Sequence, residues 1–225
     1  MDFVNPPWAF VLIDGWLAPR LFRSFYRRYA AGIELTGSED VLEFGCGSGG
    51  IAEHLLQRLP DGSLMCADIS PPMIRIAERR LAGYANASCR VGRIEDLTLP
   101  AASVDIVVIH NALHDIPEAD RPETLRELAR LLRPGGRLAL REPTKPSHGM
   151  PATVYRTALT AAGLKEHRSS EYKVFPAGPV FDAVFVKPGD PAPATQQTVP
   201  ARTADSGDCP VAPNGATLTH ADETR

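Results

Sequence analysis

A glycine-rich turn directly after a short apolar run constrains this 225-residue chain more than any other feature. Residues 41–50 read VLEFGCGSGG, and Asp68 ends the next apolar run. Glycine has no Cβ atom, so the backbone of such a turn can bend sharply and come close to a ligand. A carboxylate at the tip of the neighbouring strand can accept hydrogen bonds from two ribose hydroxyls. The pattern predicts a binding site for a nucleoside-containing cofactor.

Apolar runs alternate with helical patterns through the middle of the chain. Five runs are mostly unalternating, as expected of parallel strands covered on both faces, and they lie at 41–44, 64–67, 88–91, 104–109 and 137–141. Two further strands, at 165–174 and 180–186, are joined by a turn too short for a helical crossover, so we expect them to pair antiparallel. The sequence predicts an α/β fold, a doubly wound sheet with helices on both faces and a final antiparallel hairpin.

Composition divides the chain into three zones. Residues 1–37 form a predicted N-terminal helical arm, and residues 38–187 form the α/β domain. Residues 188–225 are rich in Pro, Ala, Thr, Gly and Asp and contain almost no bulky apolar side chains. Such a segment cannot bury enough apolar surface to offset the entropy lost on ordering, so we predict a disordered tail. A short binding motif within it is the alternative.

Charge and cysteine content exclude several classes of protein. The net charge of −3 gives no general attraction to nucleic acid, and we expect no nucleic-acid partner. The four cysteines show neither paired nor metal-ligand spacing, so we expect no metal. No signal peptide is evident, and the apolar stretch from Trp8 to Ala18 is far shorter than the ~20 residues that span a bilayer. These features favour a cytoplasmic protein that is not integral to a membrane.

The glycine turn fits two cofactor patterns. Gly45, Gly47 and Gly50 match the dinucleotide pattern G-x-G-x-x-G, with Asp68 as the ribose-binding acid. The same stretch also matches E-x-G-x-G-x-G, and here the chain resembles the class I S-adenosylmethionine-dependent methyltransferases. Three other stretches support this resemblance: ADISPPM around Asp68, RIEDLTLP before the strand VDIVV, and LLRPGGRL at residues 131–138. We favour the second interpretation, which implies a seven-stranded Rossmann-like sheet and S-adenosylmethionine as the cofactor.

The resemblance also implies the residues that contact the cofactor. It assigns this role to Glu43, Gly45, Cys46, Gly47, Gly49, Asp68, Ile69, Met73, Ile94, Glu95 and His110. The loop and Glu43 would hold the methionine part, Asp68 the ribose, and Ile69 with Met73 the adenine. Many relatives place an Asp or Asn where this chain has Arg93 and Ile94, so contact with the adenine amine would pass to Glu95, Asp96 or the backbone. Alternatively, Glu43 is a buried structural acid and Met73 belongs to the core.

Candidate catalytic residues follow the fourth and fifth strands, because ligands of open α/β sheets bind at the carboxyl ends of the strands. His114 is the first candidate for a general base or a substrate contact, since histidine titrates near neutral pH. His110 is expected nearer the methionine end of the cofactor. Glu142 either contacts substrate or caps a turn. The alternative for His114 is a structural role, as a cap or a satisfied core histidine.

The arm carries aromatic and aliphatic residues at helical spacing, with arginines largely on other faces. We favour a helix packed on the sheet edge with a solvated basic side. The alternative is a peripheral membrane contact through residues 8–29, in which Trp8, Phe10 and Trp16 lie on lipid and admit an amphiphilic substrate.

The sequence therefore predicts a methyltransferase of small molecules that uses in-line displacement from S-adenosylmethionine. Three alternatives stay open: a lipid or amphiphile acceptor, a macromolecular acceptor, and a cofactor-binding protein without catalysis. Arsenic methylation is disfavoured because Cys46, Cys66 and Cys89 lie in strands or behind the cofactor loop rather than at the rim. The sequence indicates neither the methyl acceptor nor the oligomeric state.

Overall fold

A computed structural model describes residues 2–175 and 178–189. Eight strands form the sheet, and they are β1 (Asp40–Phe44), β2 (Ser63–Asp68), β3 (Ala87–Val91), β4 (Val104–His110), β5 (Leu132–Lys145), β6 (His148–Gly149), β7 (Lys165–Val174) and β8 (Gly178–Val186). Seven of them follow the order β3-β2-β1-β4-β5-β8-β7, and the two-residue β6 pairs with β5 off this path. The predicted doubly wound α/β sheet is confirmed.

Strand direction divides the sheet into two parts. Strands β1 to β5 pair parallel, whereas β8 runs antiparallel to both β5 and β7. The predicted final antiparallel hairpin is therefore present, with Tyr172 opposite Val180. The chain reverses its direction of winding between the adjacent strands β1 and β4. A crevice at the carboxyl ends of the strands is expected at this switch point.

Helices cover both faces of the sheet, and the longer ones are α3 (Arg23–Gly32), α5 (Pro71–Leu81), α6 (Arg121–Leu131) and α7 (Ala152–Ala161). A single turn of helix, α4 (Ala52–Leu56), follows the glycine-rich turn. One apolar core packs α6 and α7 on the sheet, with Leu128 and Tyr155 fully buried. A second core on the opposite face includes Tyr29 from α3 and Leu55 from α4.

The N-terminal arm is a broken helix rather than one continuous element. It comprises α1 (Trp8–Leu12), a π-helical turn (Ile13–Leu17), α2 (Ala18–Leu21) and α3. The end of α3 joins the second core through Tyr29 and Ala30. Within residues 2–175 and 178–189, no helix has both the length and the apolar character needed to cross a bilayer.

Strand β5 is longer than the predicted 137–141 because it finds partners along most of its length. A register shift separates the pair Val104–Leu132 from the pair Ile106–Arg137, and this shift accommodates the Pro-Gly-Gly turn. At its other end, Pro143 pairs with Val180 and Thr144 with Gly149. The predicted disordered tail lies outside the described residues from position 190 onward.

Candidate active site

A cavity of about 960 Å³ opens at the carboxyl ends of β1, β2 and β4. Its walls come from the glycine loop, the end of β2 with the start of α5, the segment after β3, the segment after β4, and the N-terminal arm. Nearly all of the predicted site residues line it, and they are Glu43, Gly45, Cys46, Gly47, Asp68, Ile69, Met73, Ile94, Glu95, His110 and His114. Gly49 and Glu142 are not part of the lining.

The glycine loop requires glycine at the position where it leaves β1. Gly45 has φ +68°, and a Cβ atom built on it would overlap the Cβ of Ala112 on the loop after β4. The Gly45 amide donates to Ala67 O at 2.8 Å, which holds the loop against β2. Gly49, at φ +73°, packs against Ala77 of α5 instead of the cavity. The loop thus brings bare backbone to the cavity wall.

Asp68 ties the loop to the neighbouring strand. Its Oδ2 accepts a hydrogen bond from the Gly47 amide and its Oδ1 accepts one from the Ser70 amide, both at 2.8 Å. Burial outweighs these bonds and raises the pKa of the carboxyl group. A carboxylate has about four acceptor sites, so both oxygens keep capacity for a ligand's hydroxyl groups. This geometry fits a ribose diol.

Glu43 is a buried acid without a strong partner among the described residues. Its side chain is 3% exposed, and its one contact is the Cys66 thiol, whose Sγ lies 3.9 Å from Oε2. Burial, followed by the charge of Asp68, raises the pKa of Glu43 to about 8. A buried carboxyl group in this state would be stabilised by a cation. The ammonium group of a methionine moiety supplies such a charge, so the site fits S-adenosylmethionine.

The opposite end of the loop offers apolar surface. Met73 and Ile94 are buried, whereas Ile69 is 38% exposed, all three against the cavity. Glu95 accepts a hydrogen bond from the hydroxyl group of Thr124 and also lies beside Arg93. This mixture of apolar side chains and one carboxylate suits a purine base with an exocyclic amine.

His110 is held in an aromatic enclosure. Its ring centroid lies 4.8 Å from that of Tyr29, 5.7 Å from that of Phe25 and 5.9 Å from that of Tyr26. Burial, with the nearby charge of Arg141, lowers the pKa of His110 to about 3, so the ring is neutral. Its Nε2 is buried without a hydrogen-bond partner in the described structure. The ring therefore forms a neutral wall at the end of β4.

Glu142 and His114 form a buried pair. Glu142 is fully buried and accepts hydrogen bonds from the amides of Ala112, Leu113 and His114 at 2.7, 3.0 and 3.2 Å. Its Oε2 also lies 2.7 Å from Nδ1 of His114. Burial lowers the pKa of His114, but Glu142 and then Asp115 outweigh it, and the net shift is upward. Of its two predicted roles, Glu142 has the geometry of the cap, and it also orients the His114 ring.

Several lining residues were not singled out from the sequence. His148 of β6 places its ring 4.5 Å from that of His114, and Tyr26 and Asp14 of the arm lie on the opposite wall. Partial burial and the charge of Asp68 raise the pKa of Asp14. Asp14 interrupts an otherwise apolar stretch, which was a signal in the sequence. No sequence signal indicated His148, because only the pairing of β5 with β6 brings it to the site.

Comparison with known proteins agrees with this geometry. Residues 41–136 match a family described as "Methyltransferase domain". Nocamycin O-methyltransferase of Saccharothrix syringae is 34% identical over 128 residues, which cover 56% of this chain and 45% of that protein. A phthiotriol/phenolphthiotriol dimycocerosates methyltransferase of Mycobacterium leprae is 34% identical over 137 residues, covering 60% and 48%. The chain thus spans about half the length of these curated relatives.

A solved structure extends the likeness to the fold. The crystal structure of a SAM-dependent methyltransferase from Methanosarcina mazei matches with a TM-score of 0.60 at 20% identity, over 69% of this chain and 95% of that one. The matched residues 41–136 contain the glycine loop, Asp68 and the end of β4. The family match identifies a methyltransferase domain at residues 41–136, and the fold of the chain is that of the S-adenosylmethionine-dependent methyltransferases, which supports S-adenosylmethionine as the cofactor.

Proposed function

We propose that this protein transfers a methyl group from S-adenosylmethionine to a small-molecule acceptor. The observation that supports this most directly is the division of the cavity into two unlike ends. One end presents the glycine loop, Glu43 and Asp68, and the other presents His114 and His148. The first combination suits a cationic nucleoside, and the second offers proton acceptors beside the space that remains.

The cofactor end binds through charge and shape. Glu43 would receive the ammonium group, Asp68 the ribose hydroxyls, and Ile69 with Met73 the faces of the adenine. Cys46 and Gly47 would contribute loop backbone. The arm closes this end, because Asp14 and Tyr26 line the cavity beside the loop and reduce the access of water.

The bound cofactor supplies an activated methyl group on a sulfonium sulfur, so the protein has to align the acceptor and, where needed, remove its proton. His114 would accept that proton on Nε2, because Nδ1 faces Glu142 and that carboxylate fixes the orientation of the ring. Nε2 is buried and makes no hydrogen bond among the described residues, and Asp115 Oδ1 lies 3.4 Å from it. Neutral His110 adds no positive charge near the sulfonium.

The small-molecule acceptor is supported by what surrounds the His114 end. Apolar side chains of the arm, Phe3 and Phe10, line the same cavity as Asp115, which lies 3.4 Å from the His114 ring. An enclosed space of this size suits an organic molecule that combines an apolar body with an ionisable group. The relative from Saccharothrix syringae is likewise named for a small organic acceptor.

Calorimetry and a transfer assay test the proposal in sequence. We expect the full chain to bind S-adenosylmethionine and to ignore NAD, and the Asp68→Ala variant to bind S-adenosylmethionine more weakly. Labelled methyl groups should then appear in small-molecule fractions of a cell extract. Binding of NAD alone would overturn the cofactor assignment. Cofactor binding without transfer to any fraction would favour a non-catalytic role, and label in protein or RNA would favour a macromolecular acceptor.

A further inference from the structure

The outside of the N-terminal arm carries a cluster of apolar side chains that the cavity does not use. Six of the twelve large apolar side chains that the described residues expose lie between positions 8 and 21, and they are Trp8, Leu12, Ile13, Trp16, Leu17 and Leu21. We call these six residues the outer stripe. Their exposed fractions run from 39% for Trp16 to 79% for Trp8.

The spacing of the outer stripe makes it one continuous surface. Residues 8, 12 and 16 form one row at intervals of four, and residues 13, 17 and 21 form a second row beside it. The inner side of the same segment faces the cavity, because Phe10, Asp14 and Pro19 line it. The arm is therefore apolar on two sides, and only one of them faces the protein.

Specific contacts fix the orientation of the arm. The Arg80 guanidinium donates to Gly15 O at 3.1 Å and to Ser48 O at 2.9 Å, and the Ser48 hydroxyl donates to Asp14 O at 3.2 Å. Gly15 is buried so closely that a Cβ atom would come within 2.6 Å of Ile76 Cδ1. These contacts hold the inner side on the cavity, and the outer stripe must then face outward.

Positive charge accompanies the outer stripe. The Arg20 guanidinium lies over the Trp16 ring, 5.4 Å from its centroid, and α3 continues with exposed Arg23, Arg27 and Arg28. Residues 8–29 contain these four arginines and one acid, Asp14, whereas the whole chain carries a net charge of −3. A tryptophan-bearing apolar face beside arginines is the arrangement that partitions into an anionic lipid interface.

We propose that the outer stripe docks onto a lipid surface that carries anionic headgroups. The stripe would enter the boundary between headgroups and acyl chains, and the arginines would pair with lipid phosphates. Docking would place the arm, which forms one wall of the cavity, against the membrane. A second copy of the chain fits this surface less well, because a two-fold interface would bring the arginines of both copies together.

Tryptophan fluorescence reports on this surface directly, since the two tryptophans of the chain are Trp8 and Trp16. The full-length protein is mixed with vesicles of phosphatidylcholine alone or with phosphatidylglycerol added, without cofactor or acceptor. We expect a shift of the emission to shorter wavelength and quenching by brominated acyl chains with the anionic vesicles. Added salt should weaken binding through screening. Unchanged emission with anionic vesicles would overturn the proposal.

A matched pair of double variants separates the outer stripe from general effects of charge. Leu12→Glu/Leu17→Glu keeps both tryptophans and should weaken vesicle binding by about ten-fold or more. Val154→Glu/Phe175→Glu makes the same chemical change at exposed apolar residues outside the arm and should bind as the parent does. Equal loss in both variants would refute the docking surface.

Sedimentation of the same variants tests the competing occupant. We expect no concentration-dependent association that depends on the outer stripe. Self-association that Leu12→Glu/Leu17→Glu abolishes would replace the lipid surface with a second copy of the chain. Thermal unfolding of the variants should match that of the parent, because both substituted residues are about half exposed. The proposal is independent of methyl transfer, since vesicle binding is measured in the absence of both substrates.

Discussion

The two ends of the cavity are built in different ways. At the proposed cofactor end, the loop after β1 and the tip of β2 are adjacent in the sheet, and a hydrogen bond from the Gly47 amide to Asp68 joins them directly. At the acceptor end, His114 depends on Glu142 of β5 and lies beside His148 of β6. One end is shaped by backbone, and the other is assembled from side chains on separate segments.

This difference determines how readily residues can be substituted at each end of the cavity. The cofactor end has little freedom, because Gly45 tolerates no Cβ atom and Asp68 is fixed by two backbone bonds. The acceptor end can alter its chemistry by substitution of single side chains while the sheet stays the same. A conserved ligand can thus be combined with variable acceptors on one fold.

Loss of the proposed base should produce the largest effect. We expect His114→Ala to slow methyl transfer by about 100-fold or more, because a positioned general base typically contributes about 100- to 10,000-fold to the rate. Cofactor affinity, measured by calorimetry, should remain within about two-fold, since His114 belongs to the acceptor end. The exposed His167→Ala serves as the control. Unchanged turnover of His114→Ala would remove this residue from the mechanism.

Removal of Asp68, the proposed ribose-binding acid, should act on the proposed cofactor end. We expect Asp68→Ala to weaken S-adenosylmethionine binding by about 10- to 150-fold, the range for a hydrogen bond to a charged group. The variant also loses two acceptors that hold the Gly47 and Ser70 amides. Calorimetry with Asp61→Ala as a surface control measures the difference. Wild-type affinity in Asp68→Ala would place the ribose elsewhere.

Crowding at Gly45 should appear as lost stability. We expect Gly45→Ala to lower the free energy of unfolding by about 1–3 kcal/mol through left-handed strain and overlap with Ala112. Gly83→Ala, where a Cβ atom meets nothing within 4 Å, is the control. Adding Ala112→Gly to Gly45→Ala should relieve the overlap but not the strain, so only part of the lost stability should return. Full recovery in denaturant titration would show that strain contributes nothing.

The pH profile of transfer tests how Glu142 acts on His114. The folded pKa of His114 is raised, so its neutral, basic form and the transfer rate should increase as pH rises through a midpoint above 6.5. Glu142→Gln removes the charge that raises this pKa, and its midpoint should move to lower pH. An unchanged midpoint, with both proteins folded by circular dichroism, would separate Glu142 from the protonation of His114.

Replacement of Glu43 should give the smallest effect on stability, and that effect should depend strongly on pH. Its folded pKa of about 8 lies above the ordinary value of 4.5, so the folded state binds the proton more tightly. Stability of the cofactor-free protein should therefore fall as pH rises from 4.5 towards 8. Glu43→Gln does not titrate, so above that range it should be more stable than the parent, while it binds cofactor more weakly. Parallel pH curves in thermal unfolding would contradict this.

Local patterns in the sequence predicted much of the architecture. Apolar runs gave the strands, and Pro71 with Pro72 marked the first turn of α5, where a missing amide is harmless. The final strands were recognised as antiparallel from the length of their connection alone. The extent of β5 was not predictable, because its outer residues have no local strand signal and pair with β4 at Leu132 and with β6 and β8 at the other end.

The sequence by itself predicted the cofactor end, because the glycine turn and the acid that ends the next strand each lie in a short contiguous stretch. Tertiary structure alone decided the acceptor end, where the fold brings Glu142 and His148 beside His114. Burial in the folded protein also makes His110 neutral, and packing of the arm brings Asp14 to the cavity. The tertiary structure also decided which apolar residues of the arm face outward. Burial and pairing depend on contacts between remote residues, and no local periodicity encodes them.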